Sequence, residues 1–91
     1  MEFEWNPDKA DINLRKHNIS FHEATTVFND SLSVTFPDPD HSIGEERYVI
    51  IGMSELGKLL IVSHTDRENR IRIISARIAN RQEKRFYEEG S

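Results

Sequence analysis

Cysteine is absent from this 91-residue chain, so neither disulfides nor thiolate-bound metal can help hold the fold. That absence fits a reducing, cytosolic compartment. No apolar run approaches the roughly 18 residues that a membrane span needs. The start, Met1-Glu2-Phe3-Glu4-Trp5, is acidic and lacks the basic and apolar regions of a signal peptide. A cytoplasmic chain without membrane association is therefore expected. Its four histidines show no metal-ligand spacing such as H-E-x-x-H, and no EF-hand or phosphate-binding loop pattern is present. Neither a metal nor a nucleotide cofactor is expected. There is no internal repeat, low-complexity tract or linker, and the length suits one domain over residues 1–91.

Hydrophobic residues make up 36% and charged residues 31%, a globular balance with a small core. The net charge of -4 argues against a simple nucleic-acid binder, but the charge is unevenly placed. Residues 1–46 hold ten acids against Lys9, Arg15 and Lys16. Residues 67–85 hold Arg67, Arg70, Arg72, Arg77, Arg81, Lys84 and Arg85 against only Glu68 and Glu83. This asymmetry suggests a site for a polyanion or an acidic partner; a solvated strand and helix paired with nearby acids would read the same way.

Phe3-Glu4-Trp5 reads as a short edge strand. Asn6-Pro7 opens a helix with Asn6 as N-cap, and Asn18 closes it because Asn tolerates the left-handed conformation. Ser20-Phe21-His22-Glu23 matches a capping box for a second helix that buries Ala24, Val27 and Phe28. The period then changes. Leu32, Val34 and Phe36 alternate with Ser33 and Thr35, as in a half-buried strand. Pro37-Asp38-Pro39-Asp40 breaks it into an exposed loop with His41 and Ser42. Strands are predicted over 45–52, 58–65 and 70–76, with turns at 54–57 and 66–69, before a helix over about 79–89. The order β-α-α-β-β-β-β-α gives an α+β domain: an antiparallel sheet of four to five strands, two N-terminal helices and a C-terminal helix. These turns make Met53 oppose Lys58, Arg47 oppose His64, and Ser63 oppose Arg72. Arg47, His64 and Arg72 then lie on neighbouring strands near Arg67. Arg72 and Arg77 have opposite parity and face opposite ways on a regular strand.

Phe3-Glu4-Trp5, Lys9-Ala10, Asn13, Lys16-His17, Ser20-Phe21, Glu23-Ala24 and Val27-Phe28 resemble the amino-terminal pattern of the BrnT toxin family. Glu45-Glu46-Arg47, Ile51-Gly52, Ser54, Gly57, Thr65, Arg67 and Arg72-Ile73-Ile74-Ser75-Ala76-Arg77 resemble the rest, the last stretch most specifically. Where the family has Gly after the Lys-His pair, this chain has Asn18, a mild departure at a left-handed cap. The resemblance implies a RelE-like fold and a ribonuclease activity that stops translation. It also implies neutralisation by a ribbon-helix-helix antitoxin, with DNA bound only through the toxin–antitoxin complex.

Metal-free RNA cleavage needs a base for the 2′-hydroxyl, cations for the phosphate and an acid for the leaving oxygen. Arginine suits the second role, since its planar fork holds phosphate oxygens in two places. Arg67, Arg72 and Arg77 are the candidates there, or else surface charges paired with acids. Glu46 and His64 are candidate acid–base groups, and His17 is one through the resemblance; Glu45-Glu46-Arg47 reads equally as an ion-pair network, and His17 as a helix-terminal packing residue. Arg47 and His64 are candidate substrate contacts. Lys9 and Lys16, with Asn13 between them, form a polar helix stripe that either meets phosphates or is simply solvated. The alternative to a ribonuclease is a non-catalytic binding module, acting with a DNA-binding partner as a transcriptional regulator. An RNA-binding domain that occludes a message without cutting it is a third reading.

Overall fold

Helix signals in the first thirty residues act as local chemistry dictates. In the computed structural model, which describes residues 1–38 and 45–90, β1 (Glu2–Glu4) leads into α1 (Pro7–His17). Asn6 Oδ1 accepts from the amides of Asp8 and Lys9 at 2.8 and 3.2 Å, with Pro7 in the first turn, where its missing N–H costs nothing. Asn18 ends the helix at φ 58°, its amide bonded to the Leu14 carbonyl. Ser20 caps α2 (Phe21–Thr26), accepting from the Glu23 amide at 3.0 Å. The reciprocal half of that capping box does not form, because the Glu23 carboxylate accepts from the Ser54 hydroxyl instead, at 2.7 Å.

A 3-10 turn at Val27–Asn29 leads to β2 (Val34–Pro37), β3 (Arg47–Met53), β4 (Leu59–Arg67), β5 (Arg70–Ile78) and α3 (Arg81–Glu88). β2 starts later than the alternation suggests. Asp30 accepts from the Leu32 amide with its side chain and from the Ser33 amide with its carbonyl, so a turn occupies 30–33 and Leu32 is left 70% exposed. The loop expected after Pro37 lies, from Pro39 to Gly44, outside the described residues; His41 and Ser42 fall there.

The strand order is β1-β5-β4-β3-β2. Contrary to the all-antiparallel expectation, β1 runs parallel to β5; the other pairs are antiparallel. The helices carry the chain to the far edge at β2, and successive reversals return β5 beside β1 in the same direction. One sheet face contributes Ile50, Leu60, Val62, Ile73 and Ala76 to a core closed by Ile19, Phe21, Ala24 and Val27 from the helical layer. The layers approach so closely at Gly52 that a Cβ there would sit 3.0 Å from the Val27 carbonyl oxygen, which is why glycine stands at this position.

Both hairpins shift the expected register. Ser54 N–H donates to the Lys58 carbonyl, and Ser54 Oγ accepts from the Leu56 and Lys58 amides, with Gly57 at φ 79°. Lys58 is thereby held in the turn; Met53 pairs with Leu59, and Arg47 with Thr65 rather than His64. The second turn tightens to Glu68 and Asn69, with Glu68 at φ 54°, so Arg67 pairs with Arg70 and Arg72 with Thr65 rather than Ser63. An irregularity between Ser63 and His64 leaves Ile74 without a partner. That bulge reverses the parity of β5, so Arg72, Ser75 and Arg77 share one face, against the regular-strand expectation.

The face away from the core carries α3 at one end. α3 buries none of its residues and is held by polar clasps at both ends. Arg77 donates to both Glu83 oxygens at 2.8 Å, and the Tyr87 hydroxyl donates to Asp30 Oδ2. Asn80 and Glu83 make a full capping box, so the helix starts after Asn80 rather than at Ala79. Among the described residues, no helix is long and apolar enough to cross a membrane.

Candidate active site

The register builds one transverse row on the open face: Arg47, Thr65, Arg72 and Glu4, contributed by β3, β4, β5 and β1. Directly opposed residues keep their Cβ atoms about 5 Å apart, so neighbouring side chains in such a row can meet. A second row, Arg67, Arg70 and Glu2, follows at the hairpin end. Glu4 accepts from Arg72 at 2.9 Å, and the Arg72 and Glu4 side chains are 29% and 26% exposed. Arg70 lies 3.6 Å from Glu2 and 3.8 Å from Glu4, and Arg67 lies 3.7 Å from Glu45. Thr65, almost fully buried, donates to the Glu46 carbonyl and fixes the backbone beside Arg47. An open depression of about 600 Å³ lies over Glu2, Glu4, Arg67, Glu68, Asn69 and Arg70.

The acids of the first half thus sit beside the bases of the second. Exposed ion pairs of this kind contribute about 0–1 kcal/mol, because solvent already screens each charge. Their guanidinium groups can exchange a carboxylate for a phosphate at little cost, and Arg72, the most sequestered, is the one already held in a fixed position. Glu4 was legible only as part of an edge strand. Its place beside Arg72 depends on the parallel pairing of residues 68 positions apart, which alternation does not reveal.

The other sequence-predicted residues divide among three places. His64 and Glu46 belong with Tyr48 on the helical side of the sheet, facing away from Arg47. His64 is 4% exposed, edge-on to Phe28 at 4.9 Å and stacked on Tyr48 at 5.9 Å. Burial pushes its pKa down, with the Val62 carbonyl and Asp66 opposing, so the ring is held toward its neutral form. The Tyr48 hydroxyl donates to Glu46 at 2.7 Å, and that bond raises the phenol's pKa. Arg77 shares the open face but is committed to Glu83. This bidentate bond raises the arginine's pKa and, outweighing partial burial, lowers that of Glu83.

Lys9, Lys16 and His17 line a shallow pocket of about 190 Å³ at the β5 edge, with Ile12, Asn13, Ile74 and Ser75. Asn13 is not part of a solvated stripe. Its side-chain amide donates to the Ile19 and Ala76 carbonyls at 3.0 and 2.9 Å and accepts from the Ala76 amide at 3.1 Å. It therefore stands in for a neighbouring strand where β5 has run past the end of β1. Glu23, Ser54 and Gly52 are likewise explained by packing and turn chemistry. Among the described residues, no three His, Asp or Glu side chains converge as a metal site would require.

Comparison with known proteins gives this arrangement a context. The sequence model of the family described as "Ribonuclease toxin, BrnT, of type II toxin-antitoxin system" matches residues 5–83. The structure is similar to the crystal structure of the Brucella abortus ribonuclease toxin BrnT, at TM-score 0.71 and 20% identity, covering 89% of this chain and 99% of that one. No curated protein sequence matches. At that identity the structural likeness establishes the fold, while the family match spans most of the chain, from Trp5 to Glu83. The chain belongs to the BrnT family of ribonuclease toxins of type II toxin–antitoxin systems.

Proposed function

We propose that RNA is cut on the open face of the sheet, with the scissile phosphate held by Arg47 and Arg72 and its neighbours steered by Arg67 and Arg70. The observation that carries this is the row in which Arg47, Thr65, Arg72 and Glu4 are register partners across four strands. When phosphate takes over Arg72, the Glu4 carboxylate is released beside it to accept the proton of the 2′-hydroxyl. The O2′–phosphorus bond forms as the phosphorus–O5′ bond breaks. The leaving 5′-oxygen takes up a proton from solvent water, and a 2′,3′-cyclic phosphate remains. Guanidinium groups offset the charge gathering on the phosphate without a metal ion. Lys9 and Lys16 extend the cationic track along the β5 edge; His64 and Glu46 stay outside the chemistry, and Arg77 anchors α3.

The arginine face also fits the acidic surface of an antitoxin, and a ribbon-helix-helix partner covering it would mask the site. DNA is then bound only through that complex. Cleavage of cellular RNA in the cytoplasm arrests translation, and residues 1–91 act as one domain. The test is to incubate purified protein with RNA, with and without chelator, and to map the ends. Cyclic-phosphate ends that persist in chelator and fall on the order of 10²-fold in Arg72→Ala support the reading. Activity that disappears with chelator and returns with a divalent ion refutes the metal-free mechanism. Undiminished cleavage by a folded Arg47→Ala, Arg72→Ala variant moves the site elsewhere.

A further inference from the structure

Beyond the arginine row, the open face changes character. Phe36 on β2 is the register partner of Val49, and Val49 is two residues from Arg47 on the same face of β3. That offset is roughly 7 Å along the strand. Phe86 of α3 meets Phe36 edge-on, with ring centroids 6.2 Å apart at 74°. The two rings are 38% and 39% exposed. Together with Ile51, Gln82 and Glu83 they line an open groove of about 320 Å³. Both Glu83 oxygens are taken by Arg77, so the walls are two aromatic rings and an isoleucine, with the Gln82 amide as a donor and acceptor at the rim.

We propose that this groove is a nucleobase subsite, taking the unpaired base of a nucleotide adjoining the scissile phosphate. The inference rests on the reading of the arginine row as the phosphate site. An apolar slot alone fits many occupants. A slot two residues from a guanidinium row, on the same face of a ribonuclease, fits a ligand that is flat and apolar at one end and anionic at the other. From a phosphate at Arg47, about 7 Å along the strand and one strand spacing of about 5 Å across from Phe36, a single nucleotide reaches the groove with its base. Stacking against an aromatic ring is tolerant of base identity, because every base presents a π-face. The Gln82 amide adds the capacity to prefer one base edge over another. Since α3 forms one wall and is held by the Arg77–Glu83 clasp, the subsite exists only while α3 is docked. This gives Arg77 a role in substrate binding without contact to the phosphate.

The test uses single-stranded RNA oligonucleotides of one sequence, intact or with a single abasic position on either side of the mapped cut. Steady-state cleavage is compared for wild type, Phe36→Ala and Phe36→Leu, with folding checked by circular dichroism. Phe36→Ala should raise KM about tenfold or more on intact RNA, while kcat changes less. Phe36→Leu, which keeps apolar area but no ring, separates lost stacking from lost packing and should also raise KM. Removing the base at one flanking position should cost wild type a similar factor and cost Phe36→Ala nothing further. Additive losses at both positions would overturn the subsite. So would a Phe36→Ala protein that cleaves normally but releases its antitoxin, which would assign the groove to a protein partner. If Arg72→Ala remains active while the coupling between Phe36 and one base persists, the arginine reading fails and the base subsite stands.

Discussion

Replacing Asn13 with alanine should separate a structural amide from a substrate contact. The Asn13 side chain is 6% exposed and serves three backbone groups: the Ile19 carbonyl, the Ala76 carbonyl and the Ala76 amide. Both Ala76 groups point away from β4, so no strand replaces the lost partner. Leaving a buried backbone group unsatisfied costs about 1–3 kcal/mol. With some water entering the gap, Asn13→Ala should lose about 3–5 kcal/mol, a large share of the 5–15 kcal/mol typical of a whole domain. For a domain of this size a loss of about 3 kcal/mol lowers the thermal midpoint by roughly 12–24 °C. Urea unfolding measures the loss directly. Asn13→Asp should fare no better at neutral pH, since a carboxylate keeps the acceptor for Ala76 N–H but turns negative charge on two carbonyl oxygens. RNA cleavage per folded molecule should survive in Asn13→Ala under conditions where the variant is folded. A midpoint within a degree or two of wild type, or a folded variant without activity, would refute the clamp and return Asn13 to the phosphate track.

Ser20→Ala should lose about 1 kcal/mol in a denaturant titration, because the Glu23 amide loses its cap; an unchanged midpoint would contradict that bond's role. His64 is held below its ordinary value of 6.5 by burial, so the unfolded chain takes up a proton first and stability should fall as pH drops below 6.5. His64→Phe should remove this part of the pH dependence, and an identical slope in both proteins would show that His64 does not titrate as inferred. Hydrogen bonding to Asp30 pushes the Tyr87 pKa to about 12. The stability this adds is present below 10 and lost as pH rises through about 12; Tyr87→Phe should abolish the late phenolate absorbance change. Glu83→Gln breaks a clasp whose carboxylate has a lowered pKa, so wild type should lose the same stability as pH falls below about 4.5 and the two proteins should then converge.

Local signals determined a good deal. The caps at Asn6, Asn18 and Ser20, the order of helices and strands, and the basic stretch from Arg67 onward follow from short-range chemistry. An Asn at a helix start, or a run of alternating apolar residues, acts through neighbours two to four positions away. Asn13, Glu23, Gly52 and Ser54 hold the helical layer to the sheet through hydrogen bonds and close packing.

What only the tertiary structure decided is which of the charged residues meet. Strand side chains alternate, so one extra residue in the Ser54–Lys58 turn moved His64 to the face opposite Arg47, and one bulge at Ile74 brought Arg77 onto the face of Arg72. Glu4 reached Arg72 through a parallel pairing between the two ends of the chain, which nothing in either segment encodes by itself. Composition placed the arginines in one stretch of sequence. Register and bulge put Arg67, Arg70, Arg72 and Arg77 on one face, the first three toward the hairpin end and Arg77 beside α3, because a single step in register exchanges a sheet's two faces.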